Sequence, residues 1–403
     1  MSVIIKGVKM KQTNVTISGD VKPGFEAVRE AFVENFTRRN ELGAACCIYY
    51  RGEKVVDLWG GVRNKRTSEP WEEDTMVIVF SATKGLSGLA MALANSRGLF
   101  EYDERISKYW PEFAQQGKDK ITVRQLLAHQ AGLFAFDETG DKSIIADLDR
   151  LAVVLARQKP AYEPGTRQVY HAITLGYYES ELLRRVDPKH RSLGQYLQEE
   201  IAAPLGLDFY IRLPEEIPNT RLATLQQANL ALAIFTMPIL LFLSSMNPRS
   251  EFRRALLGSL LPIDKERVYA RNFEVPSGGG VGTARAIAHA YSVFATGGKE
   301  LGLREETLRQ LMAPPVAPLH GFRDGDVRFS LGFAKPGPKN PFGHPSSFGH
   351  PGFGGSFGFA DPEAKIGYGY ILNRQDTYLM DPRDIALRTA MYRSIGETDP
   401  YHE

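Results

Sequence analysis

Apolar residues recur at three- and four-residue spacing over positions 24–40, where Phe25, Val28, Phe32 and Phe36 share one face, so this segment is predicted to be an amphipathic helix. The pattern then shortens into continuous apolar runs. Ala44–Tyr50 and Lys54–Trp59 predict two strands, with Arg51-Gly52-Glu53 as the hairpin turn between them. A further apolar, β-branched run from Met76 to Phe80 leads directly into helical spacing at Leu86, Leu89, Ala90, Leu93 and Ala94. From about 97 to 275 the spacing is mostly helical, punctuated at Pro160, Pro164-Gly165, Pro204 and Pro214. Strand character returns at Phe329–Ala334, Ser356–Ala360 and Ile366–Asn373, with Asp361-Pro362-Glu363-Ala364 as the turn between the last two. A closing helix is expected from about Pro382 to Ile395.

Strands at both ends and helices in the middle predict an α/β (α+β) chain, an antiparallel sheet flanked by helices and assembled from both termini. Residues 1–96 and 276–403 would form the discontinuous sheet subdomain and 97–275 an inserted, mostly helical subdomain. The cleft between them is the expected active-site location. The apolar stretch Leu230 to Leu243 is shorter than the ~20 residues a bilayer crossing needs, and Pro238 interrupts it. It reads first as a buried helix or cap element, then as the wall of a lipophilic pocket, and last as a membrane contact.

Composition narrows the function classes. A chain of 403 residues with 43% hydrophobic and 24% charged residues is that of an ordinary soluble globular protein with a sizeable core. Net charge is +2 and the basic clusters are scattered, which argues against a nucleic-acid partner. Cys46 and Cys47 are adjacent in a strand, so they face opposite ways and supply no disulfide framework. With no apolar leader at the N-terminus, a reducing, cytoplasmic location is expected, without stable membrane insertion. The eight histidines are dispersed, with neither H-E-x-x-H nor C-x-x-C, so no metal is expected. Gly278-Gly279-Gly280-Val281-Gly282 lacks the strand-to-helix setting of a dinucleotide site, and no cofactor is expected.

The chemistry concentrates in three segments. Ser81-Ala82-Thr83-Lys84 sets a serine and a lysine three residues apart at a helix opening, on one face, where free N–H groups meet developing negative charge. Lys84 can take the serine proton only if its pKa falls well below ~10.4. Tyr170, in the loop led by Pro164-Gly165, is the candidate second proton carrier. The glycine-dense run Phe348 to Phe359 enters a strand and lets backbone approach a ligand closely, so that one of its N–H groups could join the Ser81 N–H as an oxyanion hole. Gly354-Gly355-Ser356-Phe357-Gly358 also matches G-x-S-x-G. A strand, a turn and another strand follow it, and the only later histidine is His402, so Ser356 reads as a structural strand serine.

S-x-x-K, a Pro-Gly-led tyrosine, H-x-G before a late strand, and the stretches Leu126–Leu133 and Ser277–Ala284 together resemble the serine β-lactamase and penicillin-binding-protein superfamily. The likeness spans roughly residues 23–395. Tyr170-His171-Ala172 with Thr174 and Gly176, and Gly349-His350-Pro351-Gly352, look most like family VIII carboxylesterases, which are class C β-lactamase-like esterases.

The resemblance implies a β-lactamase/transpeptidase-like fold, with Ser81 as the acylated nucleophile, Lys84 as its base and Tyr170 as a partner in proton transfer. It also implies an oxyanion hole from the N–H groups of Ser81 and Phe353. His350, Gly352, His171 and Phe80 are expected to line the substrate site, and His129 to be a structural helix-end residue. Two departures separate the chain from lactam and peptide hydrolases. Ala172 stands where asparagine is usual, and His350 replaces a common lysine, so groups that grip a lactam amide and its carboxylate are missing.

The expectation is a serine carboxylesterase for short- to medium-chain acyl esters, with Phe80, Phe353, Phe357 and the 230–243 segment walling the acyl pocket. An amide hydrolase of the β-lactamase, D-aminopeptidase or DD-peptidase kind is the alternative reading. A catalytically inactive binding protein on the same fold is the third.

Overall fold

A computed structural model describes residues 15–137, 142–227, 249–256, 271–321, 328–338, 340–376 and 380–397, together with 244, 246 and 247. Its main sheet draws on both ends of the chain. The N-terminal part supplies β1 (Ile17–Val21), β2 (Gly43–Tyr50), β3 (Glu53–Asn64) and the short β4 (Glu69–Pro70). Strands β5 (Val77–Ile78), β6 (Phe209–Tyr210) and β7 (Val281–Gly282) form a separate three-stranded sheet in the order β5-β7-β6. The C-terminal part adds β8 (Arg328–Ser330), β9 (Phe333–Lys335), β10 (Phe348–Pro351), β11 (Phe357–Asp361) and β12 (Ile366–Leu372). The order is β1-β3-β2-β12-β11-β10-β9-β8 with β4 on β3, and every named pairing is antiparallel. The seam between the chain's two ends is β12 against β2, in register from Ile366 opposite Tyr50 to Leu372 opposite Ala44.

The helices are α1 (Glu26–Arg38), α2 (Ala82–Ser96), α3 (Ile106–Tyr109), α4 (Val123–Leu127), α5 (Leu148–Arg157), α6 (Thr174–Val186), α7 (Leu193–Leu197), α8 (Ala203–Leu205), α9 (Glu251–Leu256), α10 (Ala284–Ala295), α11 (Glu305–Met312) and α12 (Pro382–Ser394). One sheet face carries α1 and α12, and its core includes Phe32, Phe36, Cys46, Ile48, Phe359, Tyr368 and Met391. The opposite face carries α10 and α2 in a second core that includes Cys47. The adjacent cysteines thus enter different cores, as strand alternation requires. Gly367 and Gly369 of β12 bring α10 close, because a Cβ there would lie 2.3 Å from the carbonyl oxygen of Ala288 and 2.4 Å from that of Ala284.

Three sequence expectations need correcting. Phe329–Ala334 is two strands rather than one, folded about Leu331 (φ 51°) and Gly332 (φ 88°). The sequence reading has no strand over Phe348–Pro351, where β10 runs and contains His350; the expected strand at Ser356–Ala360 is β11. Phe357 does not wall the acyl site. It packs against Phe342 and Phe359 in the α1/α12 core, since residues 357 and 359 share a face and Gly358 turns toward α10. The 230–243 segment lies outside the described residues. Among the described residues no helix is long and apolar enough to cross a membrane.

Candidate active site

The chain enters the site through a strained turn. After β5, Phe80 adopts a left-handed conformation (φ 47°) and Ser81 follows as the N-cap residue of α2. A bulky side chain in that region costs on the order of 1–3 kcal/mol and persists only where neighbours hold it. Here Thr83 holds it, since its backbone N–H and its hydroxyl both donate to the Phe80 carbonyl, at 2.9 and 2.5 Å. The Thr83 hydroxyl in turn accepts from the Gly280 N–H at 2.9 Å. The sequence showed S-x-x-K but gave no sign of this turn.

All of α2 is buried, so each polar side chain on it needs a partner. Lys84, three residues into the helix and 0% exposed, points its Nζ at the carbonyl oxygens of Ala172 (2.5 Å) and Ser277 (2.8 Å) and at Ser81 Oγ (3.3 Å). A neutral amine has two hydrogens and one lone pair. The two carbonyls can only accept, so they take both hydrogens and leave the lone pair to the serine. Burial pushes the Lys84 pKa down to about 7, with the Glu179 carboxylate pulling the other way.

Tyr170 completes the constellation by donating its hydroxyl to Ser81 Oγ at 2.8 Å. Burial holds its phenol above the ordinary tyrosine range, so it is a neutral donor. Its ring is nearly parallel to Phe329 at 5.2 Å and to His350 at 5.9 Å, tilts against His129 at 5.1 Å, and has Lys84 Nζ over it at 4.9 Å.

The histidines form a support shell. His171 Nδ1 donates to the Val169 carbonyl (2.7 Å), so its Nε2 accepts from the Leu133 N–H (3.0 Å). His129 Nδ1 accepts from the His171 N–H (2.9 Å), which leaves its proton on Nε2. His350 Nδ1 donates to the Pro351 carbonyl at 2.7 Å. Desolvation drives the pKa of His171 to about 4 and of His350 to about 3, and that of His129 well below the usual imidazole range. All three are buried and neutral, held behind Tyr170. His129, read from sequence as a helix-end residue, is one of the walls that orient the tyrosine.

The turn from β10 to β11 closes the other side. A Cβ on Gly352 would lie 2.1 Å from the Val79 carbonyl oxygen, so only glycine lets this turn reach the segment that leads into Ser81. Phe353 follows, 53% exposed, its ring edge-on to Phe80 at 5.9 Å. Among the described residues neither the Ser81 nor the Phe353 N–H donates to a protein acceptor. Ser356 is buried just before β11, and its carbonyl accepts from the Gly352 N–H at 2.6 Å. No three His, Cys, Asp or Glu side chains among the described residues converge as metal ligands would.

The structure therefore brings Lys84 and Tyr170 each into hydrogen-bond reach of Ser81, with Phe80 and Phe353 at the rim. His171 and His350 stand behind the tyrosine. Sequence reasoning missed the carbonyls of Ala172 and Ser277 and the buried Glu179. Only the last left a signal, a carboxylate on the apolar stripe of α6 that contains Leu175, Leu182 and Leu183.

The Beta-lactamase family profile matches residues 28–390. The chain is similar to the esterase/β-lactamase LipL of Mycobacterium tuberculosis, 31% identical over 376 residues, covering 89% of this chain and 83% of LipL. A family VIII carboxylesterase of known structure superposes with a TM-score of 0.80 at 36% identity, covering 94% of this chain and 100% of that one. A penicillin-binding-protein homologue from Caulobacter crescentus superposes with a TM-score of 0.82 at 34% identity, again over 94% and 100%.

Proposed function

The chain belongs to the β-lactamase family, a hydrolase on the β-lactamase/transpeptidase-like fold, and from that premise we propose that it is a serine carboxylesterase. The observation that carries the proposal is the shared target of Lys84 and Tyr170, since both reach Ser81 Oγ and two carbonyl acceptors stand ready for the hydrogens of a neutral Lys84. Ser81 Oγ attacks the ester carbonyl carbon while its proton passes to Lys84 Nζ. The N–H groups of Ser81 and Phe353 hold the oxyanion. When the intermediate collapses, the alcohol leaves with a proton from Tyr170, which Lys84 replenishes. Water then hydrolyses the acyl-Ser81 ester by the reverse proton route.

An ester fits this site better than a lactam or a peptide. Ala172 presents a carbonyl and a methyl group, so it offers no side-chain amide to a substrate. His350 is neutral and buried, so it offers no cation to a substrate carboxylate. Phe80 and Phe353 give an apolar rim suited to short- and medium-chain acyl groups. Two relatives are named as an esterase/β-lactamase and a family VIII carboxylesterase, which supports ester hydrolysis with β-lactam hydrolysis as the second reading. The buried, unbridged cysteines support a reducing compartment.

The test is hydrolysis of p-nitrophenyl butyrate and of a chromogenic cephalosporin by wild type, Ser81→Ala and Ser356→Ala. The esterase reading expects ester turnover in wild type and Ser356→Ala and none in Ser81→Ala. Turnover of the cephalosporin alone would overturn it in favour of a lactamase. Absence of both, with no labelling by a fluorophosphonate, would favour an inert scaffold.

A further inference from the structure

Glu179 sits in the middle of α6 with 0% exposure, and neither of its carboxylate oxygens has a hydrogen-bond partner among the described residues. A buried carboxyl without partners is costly, and an apolar side chain of similar volume would serve the core better. Its position explains what it faces. A Cβ built on Gly332 would lie 3.3 Å from Glu179 Oε1 and 3.4 Å from the Gly88 Cα, so the carboxyl lies beside Gly88. Gly88 is one helical turn beyond Lys84 on the same face of α2. The carboxyl therefore lies against the face of α2 that carries Lys84, at the turn that follows it.

Other charges on the packed elements are directed elsewhere. Lys84 is the only charged residue on α2, and α7 has none. On α6 itself, Glu181 pairs with Arg184 and Arg185. Asp149 of α5 pairs with Arg184, Arg124 of α4 with Asp103, and Lys108 of α3 with Glu104. From the other side, Lys84 faces Tyr170 and the neutral His129, His171 and His350. Among the described residues, Glu179 is the one carboxylate that acts on the Lys84 pKa, and Lys84 the one charge that acts on that of Glu179.

We propose that Glu179 is a positioning residue for the acylation base, its proton occupancy deciding whether Lys84 stands as free amine or as ammonium. Protonated, the carboxyl is neutral and leaves the lysine lone pair free for the Ser81 proton. Ionised, it stabilises the ammonium, and Ser81 keeps its proton. The proton moves only between these two groups, so the pair carries no net charge in either form. Desolvation supports the arrangement by raising the Glu179 carboxyl well above the usual carboxylate range, so that it titrates in the same range of pH as Lys84. The inference rests on Lys84 being the base that activates Ser81.

The experiment is a 13C NMR titration of the full chain labelled at lysine Cε and glutamate Cδ, with Lys84 and Glu179 assigned by Lys84→Met and Glu179→Gln. In wild type the two signals are expected to titrate in coupled steps. In Glu179→Gln and Glu179→Met the Lys84 midpoint should fall by about one pH unit, a tenfold gain in free amine on the acid side. The ester kcat/KM profile should shift to lower pH with it. Uncoupled wild-type titrations, or a Lys84 midpoint unmoved or raised in a folded variant, would overturn the proposal. A shifted midpoint in protein that hydrolyses no ester would instead remove the esterase reading and leave the pairing standing.

Discussion

The carbonyl oxygen of Ala172 lies 2.5 Å from Lys84 Nζ, so the residue that follows Tyr170-His171 holds the lysine through its backbone. Together with the Ser277 carbonyl it aims the amine at Ser81. Replacing Lys84 by Met removes the base and should lower kcat by about 10³-fold, within the range of lost general bases. Ser81→Ala, which removes the nucleophile, should cost at least about as much. Steady-state assays with p-nitrophenyl butyrate compare the two directly, and a Lys84→Met enzyme with near wild-type kcat would remove the lysine from the mechanism.

The pH dependence follows from the amine being the active form. With Lys84 at about 7, kcat/KM should rise through neutral pH and level off on the alkaline side. Tyr170 imposes no early alkaline fall, because its phenol is held above the ordinary range. An acid optimum in a stopped-flow pH series would contradict this.

The same shift carries a stability cost with a definite sign. Lys84 binds its proton more weakly in the folded chain than in the unfolded one, whose value is 10.5. Between about 7 and 10.5 the unfolded state therefore holds more protons, and this group's contribution to stability rises with pH. Lys84→Met should thus melt at a higher temperature than wild type at pH 7, measured by calorimetry.

Tyr170→Phe keeps the ring against Phe329 and loses only the hydroxyl, so the fold should survive. A drop in kcat of about 10²-fold, with a changed melting temperature of no more than a few degrees, is expected. Equal kcat in both proteins would assign proton transfer to Lys84 alone.

Away from the site, Arg383 is held between buried carboxylates, donating to Glu41 at 3.1 Å and to Asp381 at 2.5 Å. Arg383→Met would leave both acids without their shared cation. Urea unfolding should register a loss of about 3–5 kcal/mol, far above that of a surface pair.

Much of this protein could be read from local pattern. The spacing of Phe25, Val28, Phe32 and Phe36 is a helix face in any setting. The alternation at Cys46-Cys47 sends neighbours into separate cores. S-x-x-K at a helix start puts Ser81 and Lys84 on one side by backbone geometry alone. These are properties of a few consecutive residues, and the chain carries them wherever it folds.

Long-range packing decided the rest. Phe357 lay near the site in sequence, but the register of β11 turned it into the opposite core. The charge state of Lys84 depends on the carbonyls of residues 88 and 193 positions away and on a carboxylate contributed by α6. A pKa measures how far water has been excluded and which dipoles replace it. Spacing along the chain could therefore set Ser81 and Lys84 side by side, whereas only the assembled interior could bring the lysine down to about 7.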